Sequence, residues 1–149
     1  MSAQPVARVQ ADLTAAMKAG DKERTSTLRL LLNAVKNETL AAGGEVAEGR
    51  FLALVQKGIQ QRQESVEAYR KGGREELAAK EEREIEVLAS YLPPPVGEEE
   101  LRAAIAALVA ERGLAGPQAI GPIMKEMTAR FAGRADGGTI HRVARQVLG

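Results

Sequence analysis

The residues best suited to chemistry are five cations, Lys125, Arg130, Arg134, Arg142 and Arg145, in a stretch (121–149) whose only carboxylates are Glu126 and Asp136. Phosphate oxygens require only positive donors at workable separations, so the chemistry these residues suit is docking on a nucleic-acid backbone. Arg142 and Arg145 are three apart and therefore neighbours if the segment is helical. At a log–log salt slope of roughly −0.9 per phosphate neutralised, three or four contacts give weak and strongly salt-sensitive binding. Phe51, Tyr69, Tyr91 and Phe131 are the whole aromatic complement, too few to stack single-stranded bases. Such an RNA target is read by its folded shape.

The turn that positions these cations is Gly133-Arg134-Ala135-Asp136-Gly137, with Gly121-Pro122-Ile123-Met124-Lys125 ahead of it. Gly133 is suited to the left-handed conformation that ends one helix, and Asp136 to capping the next. The N–H groups of Gly137 to Ile140 form a potential anion site at that helix start. An Asp136 cap would occupy it, and capping is the preferred reading of that side chain. Arg134 is placed at an exposed corner by this geometry. It and Lys125 are open to a phosphate contact or to plain solvation.

Other chemistries lack the residues. His141 is the only histidine, on an amphipathic segment between Ile140 and Arg142, and it reads as a helix-surface residue. Ser26, Ser65 and Ser90 occupy ordinary polar helix positions, giving no nucleophile–base pattern. Glu81, Glu82, Glu84 and Glu86 are interleaved with Lys80 and Arg83, the pattern of a solvated helix face with i,i+4 pairs. No glycine-rich phosphate loop, no metal-ligand spacing and no cysteine is present. The expectation is a protein without catalytic residues, metal or cofactor.

The elements that carry these residues all read as helices. Val6, Val9, Leu13, Ala16 and Met17 recur at spacings of three and four, then Gly20 and Asp21 end one helix and start another bearing Leu28, Leu31, Leu32 and Val35. Gly43-Gly44 interrupts the pattern before Phe51, Leu54, Val55, Ile59, Val66 and Tyr69 mark a third helix. Gly58 within it implies a close helix contact. Past Gly72-Gly73, a fourth helix carries Leu77, Ile85, Leu88 and Leu92. The run Pro93-Pro94-Pro95 cannot continue a helix and is the expected linker between domains 1–92 and 96–149. Beyond it, Glu98, Glu99 and Glu100 suit the positive end of a fifth helix with Leu101, Ile105, Leu108 and Val109 on its buried face. Ile120, Ile123, Met124, Met127 and Phe131 define a sixth, which either begins at Pro117 and bends at Pro122 or begins at Pro122. Ile140, Val143, Ala144, Val147 and Leu148 define the last. Tyr69 and Tyr91, near helix ends, suit core packing better than partner anchoring.

A formal charge of +1 provides no global field toward nucleic acid or membrane, so any electrostatic function must be local. The residues Met1-Ser2-Ala3-Gln4-Pro5 lead into an amphipathic segment rather than a long apolar run, which argues against a leader segment and a membrane span. With the absence of cysteine, this points to a cytoplasmic protein with no membrane association.

The order of motifs resembles the GatB/YqeY family. It is carried by Arg62, Gly72-Gly73-Arg74-Glu75-Glu76-Leu77, Glu81, Glu84, Ile85, Leu88, Tyr91-Leu92-Pro93 and the Gly133–Gly137 turn. The likeness extends from about Ala11 to Leu148 and is strongest to small stand-alone YqeY-like proteins. It implies an all-α protein: an N-terminal domain of about four helices, then a three-helix domain like the tail of the B subunit of the glutamine-dependent aminoacyl-tRNA amidotransferase. It also implies a tRNA-associated accessory role, with a protein partner in the translation or tRNA-modification machinery. The rival expectation is a protein–protein adaptor that keeps the tail fold without binding RNA. Carbon–nitrogen ligase activity would come only by family transfer or within a complex.

Overall fold

A computed structural model describes residues 5–44 and 46–149; Met1–Gln4, on which the expectation of no leader segment falls, and Glu45 lie outside the described residues. Among the described residues there are seven α-helices and no strand: α1 (Pro5–Ala19), α2 (Lys22–Ala42), α3 (Glu48–Lys71), α4 (Glu75–Ala89), α5 (Glu98–Arg112), α6 (Ile120–Arg130) and α7 (Gly137–Leu148). The protein is all-α. It divides into two compact units, residues 1–92 and 93–149, each with its own apolar core.

In the first unit, α1 and α2 form one hairpin and α3 and α4 another. The first hairpin turns at Gly20, whose φ of 74° lets the Gly20 and Asp21 amides bond to Met17 O and Ala16 O, both at 3.1 Å. Asp21 then caps α2, its carboxylate accepting from the Arg24 amide at 3.0 Å. The core gathers Val9, Leu13 and Ala16 from α1, Leu28, Leu31, Leu32 and Val35 from α2, Phe51, Leu52 and Val55 from α3, and Leu88 from α4. Met17 departs from the expected apolar face. It lies at the edge of the α1 stripe, one turn from the chain reversal, and is 52% exposed.

Phe51 is fully buried, and Tyr91 meets it edge-on at 5.7 Å between ring centroids. The Tyr91 hydroxyl donates to Asp12, and burial followed by that carboxylate pushes its ionisation above the ordinary tyrosine value. Across the Phe51 ring lies the Arg8 guanidinium, 4.9 Å from the centroid, which also donates to Glu48 at 2.6 Å.

The second hairpin owes its close packing to Gly58. A Cβ there would sit 3.3 Å from Leu88 Cδ1 and 3.5 Å from Arg62 Nη1. The space is filled from α4 by Leu88 and from α3 by Arg62, which donates to Gly58 O at 3.2 Å and pairs with Glu84 at 3.6 Å.

The second unit packs α5, α6 and α7 around Leu101, Ile105, Leu108, Ile123, Met127, Phe131, Ile140, Val143 and Ala144. Pro117 opens a short 3-10 turn, Pro117–Ala119, that runs directly into α6. Pro122 is the third residue of α6, where a missing N–H is readily tolerated. Neither expected start for this helix matches fully: it begins between the two prolines. Each of these helices is too short to be stable alone, so the unit depends on their mutual packing.

Gly58→Leu is expected to lower stability by about 1–3 kcal/mol, because the added side chain must displace Leu88 in a filled contact. Urea denaturation followed by circular dichroism checks this; a midpoint equal to that of the parent would contradict the packing.

Candidate nucleic-acid interface

The α6–α7 corner that carries the predicted cations is built from backbone geometry first. Gly133 has a φ of 77°, and the adjacent Arg134 amide donates to Phe131 O at 2.8 Å. The Arg134 carbonyl accepts from the Val96 amide at 2.9 Å, and its Nε donates to Pro94 O at 3.0 Å. One residue thereby fastens the segment after the proline run to the corner. Its guanidinium also lies 5.8 Å from the Phe131 ring centroid and 3.9 Å from Glu100. Arg134 is half-buried rather than an open cation at an exposed corner.

Arg142 is drawn in a similar way. It donates to Glu98 at 2.6 Å, and Glu98 lies 3.7 Å from Arg102. The hydrogen bond from Arg142 is the main reason the Glu98 carboxyl is held below its ordinary value, with the two nearby positive charges adding to it. The acidic run at the start of α5 does more than complement a helix dipole: Glu98 and Glu100 answer arginines from α7 and from the corner. Composition could not reveal these partners, which lie far away in sequence.

Lys125, Arg130 and Arg145 are exposed and carry no ion pair among the described residues. At 3.6 residues per turn, Lys125 and Arg130 point about 140° apart around α6, so these two do not share a narrow face. Nearby Glu126 is engaged by Arg112 at 2.8 Å, which removes one carboxylate from competition with Lys125. Of the five predicted cations, Arg134 and Arg142 are paired with glutamates of α5, Arg142 while still exposed, and Lys125, Arg130 and Arg145 are exposed with no ion pair among the described residues.

Asp136 caps α7, accepting from the Thr139 amide at 2.7 Å. Its carboxylate takes the place an anion would need at that helix start. Gly137, the first residue of α7, faces the Met124 methyl, 3.8 Å from where a Cβ would stand.

His141 is exposed on α7. Ser65 donates its hydroxyl to Gln61 O within α3, and Ser90, just past the end of α4, donates to Val87 O. On α4, Glu82 pairs with Arg70, Glu84 with Arg62, and Arg83 with Glu23. Among the described residues, no group of three or more histidines and carboxylates is placed to hold a metal, and no helix is long and apolar enough to cross a membrane.

Residues 6–148 match a family model described as Yqey-like protein. Curated relatives share the name "Altered inheritance of mitochondria protein 41, mitochondrial". The one from Lachancea thermotolerans is 36% identical over 115 residues, 75% of this chain and 62% of its own length. That from Pyrenophora tritici-repentis is 30% identical over 146 residues, 95% of this chain and 80% of its own. A Saccharomyces cerevisiae relative is 32% identical over 88 residues, 58% of this chain and 48% of its own. The chain thus spans about half to four fifths of the length of these relatives. Their names overturn the expectation of a cytoplasmic protein, since these relatives are named as mitochondrial. A cysteine-free composition could not have separated the two compartments.

Three outcomes follow from these contacts. Arg134→Ala should cost about 1 kcal/mol through loss of the Pro94 bond, whereas Lys125→Ala should stay within about 0.5 kcal/mol of the parent in thermal unfolding. In an NMR pH titration, Glu98 should ionise below the ordinary 4.5 and return toward it in Arg142→Ala. Because its folded value is depressed, the stabilisation from this pair is present above the unfolded value and is lost as pH falls through the folded one.

Proposed function

Since the chain belongs to the Yqey-like protein family, we propose that it is a tRNA-associated accessory protein whose second unit docks on folded RNA without an active site of its own. The observation that carries this reading is that Lys125, Arg130 and Arg145 stand exposed, with no ion pair among the described residues, while neighbouring arginines are held by Glu98 and Glu100. Cations left free beside satisfied ones are available to phosphate at no loss to the fold. Arg142, half-exposed, adds a fourth contact if RNA displaces Glu98. Arg134 serves the docking by holding the corner rather than by touching RNA.

With three phosphates neutralised, affinity is modest and falls steeply with salt. No aromatic platform favours single strands, so the target is a folded RNA recognised by phosphate spacing. On this reading, carbon–nitrogen ligase chemistry would be supplied by other subunits, with Glu82 and Glu84 in ion pairs and Asp136 in a helix cap. A second reading, a protein–protein adaptor of the translation or tRNA-modification machinery, is favoured by the pairing of Arg134 and Arg142 and by the angular spread of Lys125 and Arg130.

Labelled bulk tRNA titrated against the protein at several salt concentrations distinguishes them. The RNA reading expects a log–log salt slope of about −2.7, for three contacts, and loss of binding in folded Lys125→Glu/Arg130→Glu/Arg145→Glu. Absence of binding at low salt, or binding unchanged in that variant, would leave the adaptor reading.

A further inference from the structure

The large hydrophobic side chains most exposed among the described residues all belong to the first hairpin: Met17 at 52%, Leu30 at 55% and Leu40 at 80%. Leu30 and Leu40 lie on the solvent face of α2, together with Ser26, Asn33 and Asn37. Positions 26, 30, 33, 37 and 40 are spaced four, three, four and three. That is the spacing of a coiled-coil seam, running for about 21 Å along the helix. Ala34 and Ala41 border it on one side and leave room for a second backbone. On the other side, Lys22, Arg29 and Lys36 recur every seventh residue, all exposed.

The residues of this seam have no part in the core, which α2 serves through Leu28, Leu31, Leu32 and Val35. Nor do the basic residues of its border answer acids among the described residues of the unit. The ion pairs there use Arg8, Arg50, Arg62, Arg70 and Arg83, while Arg29 reaches the Met17 sulfur at 4.0 Å. Between positions 26 and 40 this face carries no charge and lies beside a heptad-spaced basic border, while Glu23, one heptad before Leu30, is already engaged by Arg83. Such a face is suited to pairing with another helix.

We propose that the solvent face of α2 docks an amphipathic helix of a protein partner, one that presents apolar residues to Leu30 and Leu40 and acidic residues to Lys22, Arg29 and Lys36. Charge decides the occupant. An antiparallel second copy would set the basic border against itself, and a parallel one would set it against Ala34 and Ala41, so neither neutralises it. RNA would answer the cations but leaves Leu30 and Leu40 exposed. Asn33 and Asn37, inside the seam, favour one register over slippage at some cost in affinity. The site lies on the first unit and stands independently of RNA docking by the second.

The test uses the full chain and two fluorescein-labelled synthetic helices with leucine at a and d, one with glutamate and the other with lysine at e and g. Fluorescence anisotropy should show binding of the glutamate helix alone. Leu30→Glu/Leu40→Glu, both at exposed positions, should weaken it by about tenfold or more with unchanged circular dichroism, the size expected of truncated anchors. Lys22→Glu/Arg29→Glu/Lys36→Glu should reverse the preference to the lysine helix. Equal binding of the two helices, binding of neither, or a Leu30→Glu/Leu40→Glu variant that binds as the parent does would overturn the proposal. So would a dimer in sedimentation velocity that this variant dissolves, or tRNA binding lost only in the charge-reversed variant.

Discussion

In each unit an arginine lies across the ring of a buried phenylalanine: Arg8 over Phe51 and Arg134 over Phe131. The chain has only these two phenylalanines and no tryptophan, so apart from Tyr91 beside Phe51 and a few methionines its cores are built from aliphatic side chains. A cation over an aromatic face contributes about 0.5–2 kcal/mol, depending on desolvation. Its further effect is to tie core to surface. Arg8 continues to Glu48 at the start of α3, and Arg134 to Pro94 and to Glu100 on α5. Short helices with little area to bury are thereby joined at the points where their apolar stripes end.

The same economy of residues decides which charges remain for other molecules. Glutamates at helix starts and on α4 take up arginines from other helices, and this use of charge is structural despite the near-zero net balance of the chain. Among the charges left open, two local groupings stand out. Isolated cations stand on α6 and α7, and an ordered basic border stands beside the exposed face of α2 that carries Leu30 and Leu40. A net charge of +1 conceals both.

Much of the fold is legible in residue spacing because helices are local. The three-and-four recurrence finds α1 to α7, and the pairs Gly20-Asp21 and Gly133-Asp136 find turn and cap together, since each satisfies amides within a few residues. The close approach at Gly58 is visible as a helix breaker in a helical pattern. What spacing does not carry is tertiary choice. Arg134 reads as an open corner cation because Pro94 and Glu100 are far from it in sequence, and Glu98 reads as a dipole partner because Arg142 is farther still. Met17 fits the apolar stripe of α1 but falls beyond the reach of α3 and α4. The seam on α2 is a heptad pattern in plain view, yet beside a stronger buried stripe on the same helix it becomes distinct only when burial is known.

The hairpin turns at Gly20 and at Gly72-Gly73 also bear on how the chain folds in time. Both join helices that pack along their length through loops of two or three residues, so the entropy lost on closing them is small. Neighbours this close in sequence characterise bundles that fold in microseconds to milliseconds. Neither hairpin alone can enclose Phe51, which draws on both. The slow event expected of this unit is the meeting of its two hairpins. Arg8, reaching from the first to Phe51 and Glu48 at the start of the second, then acquires its native partners among the last.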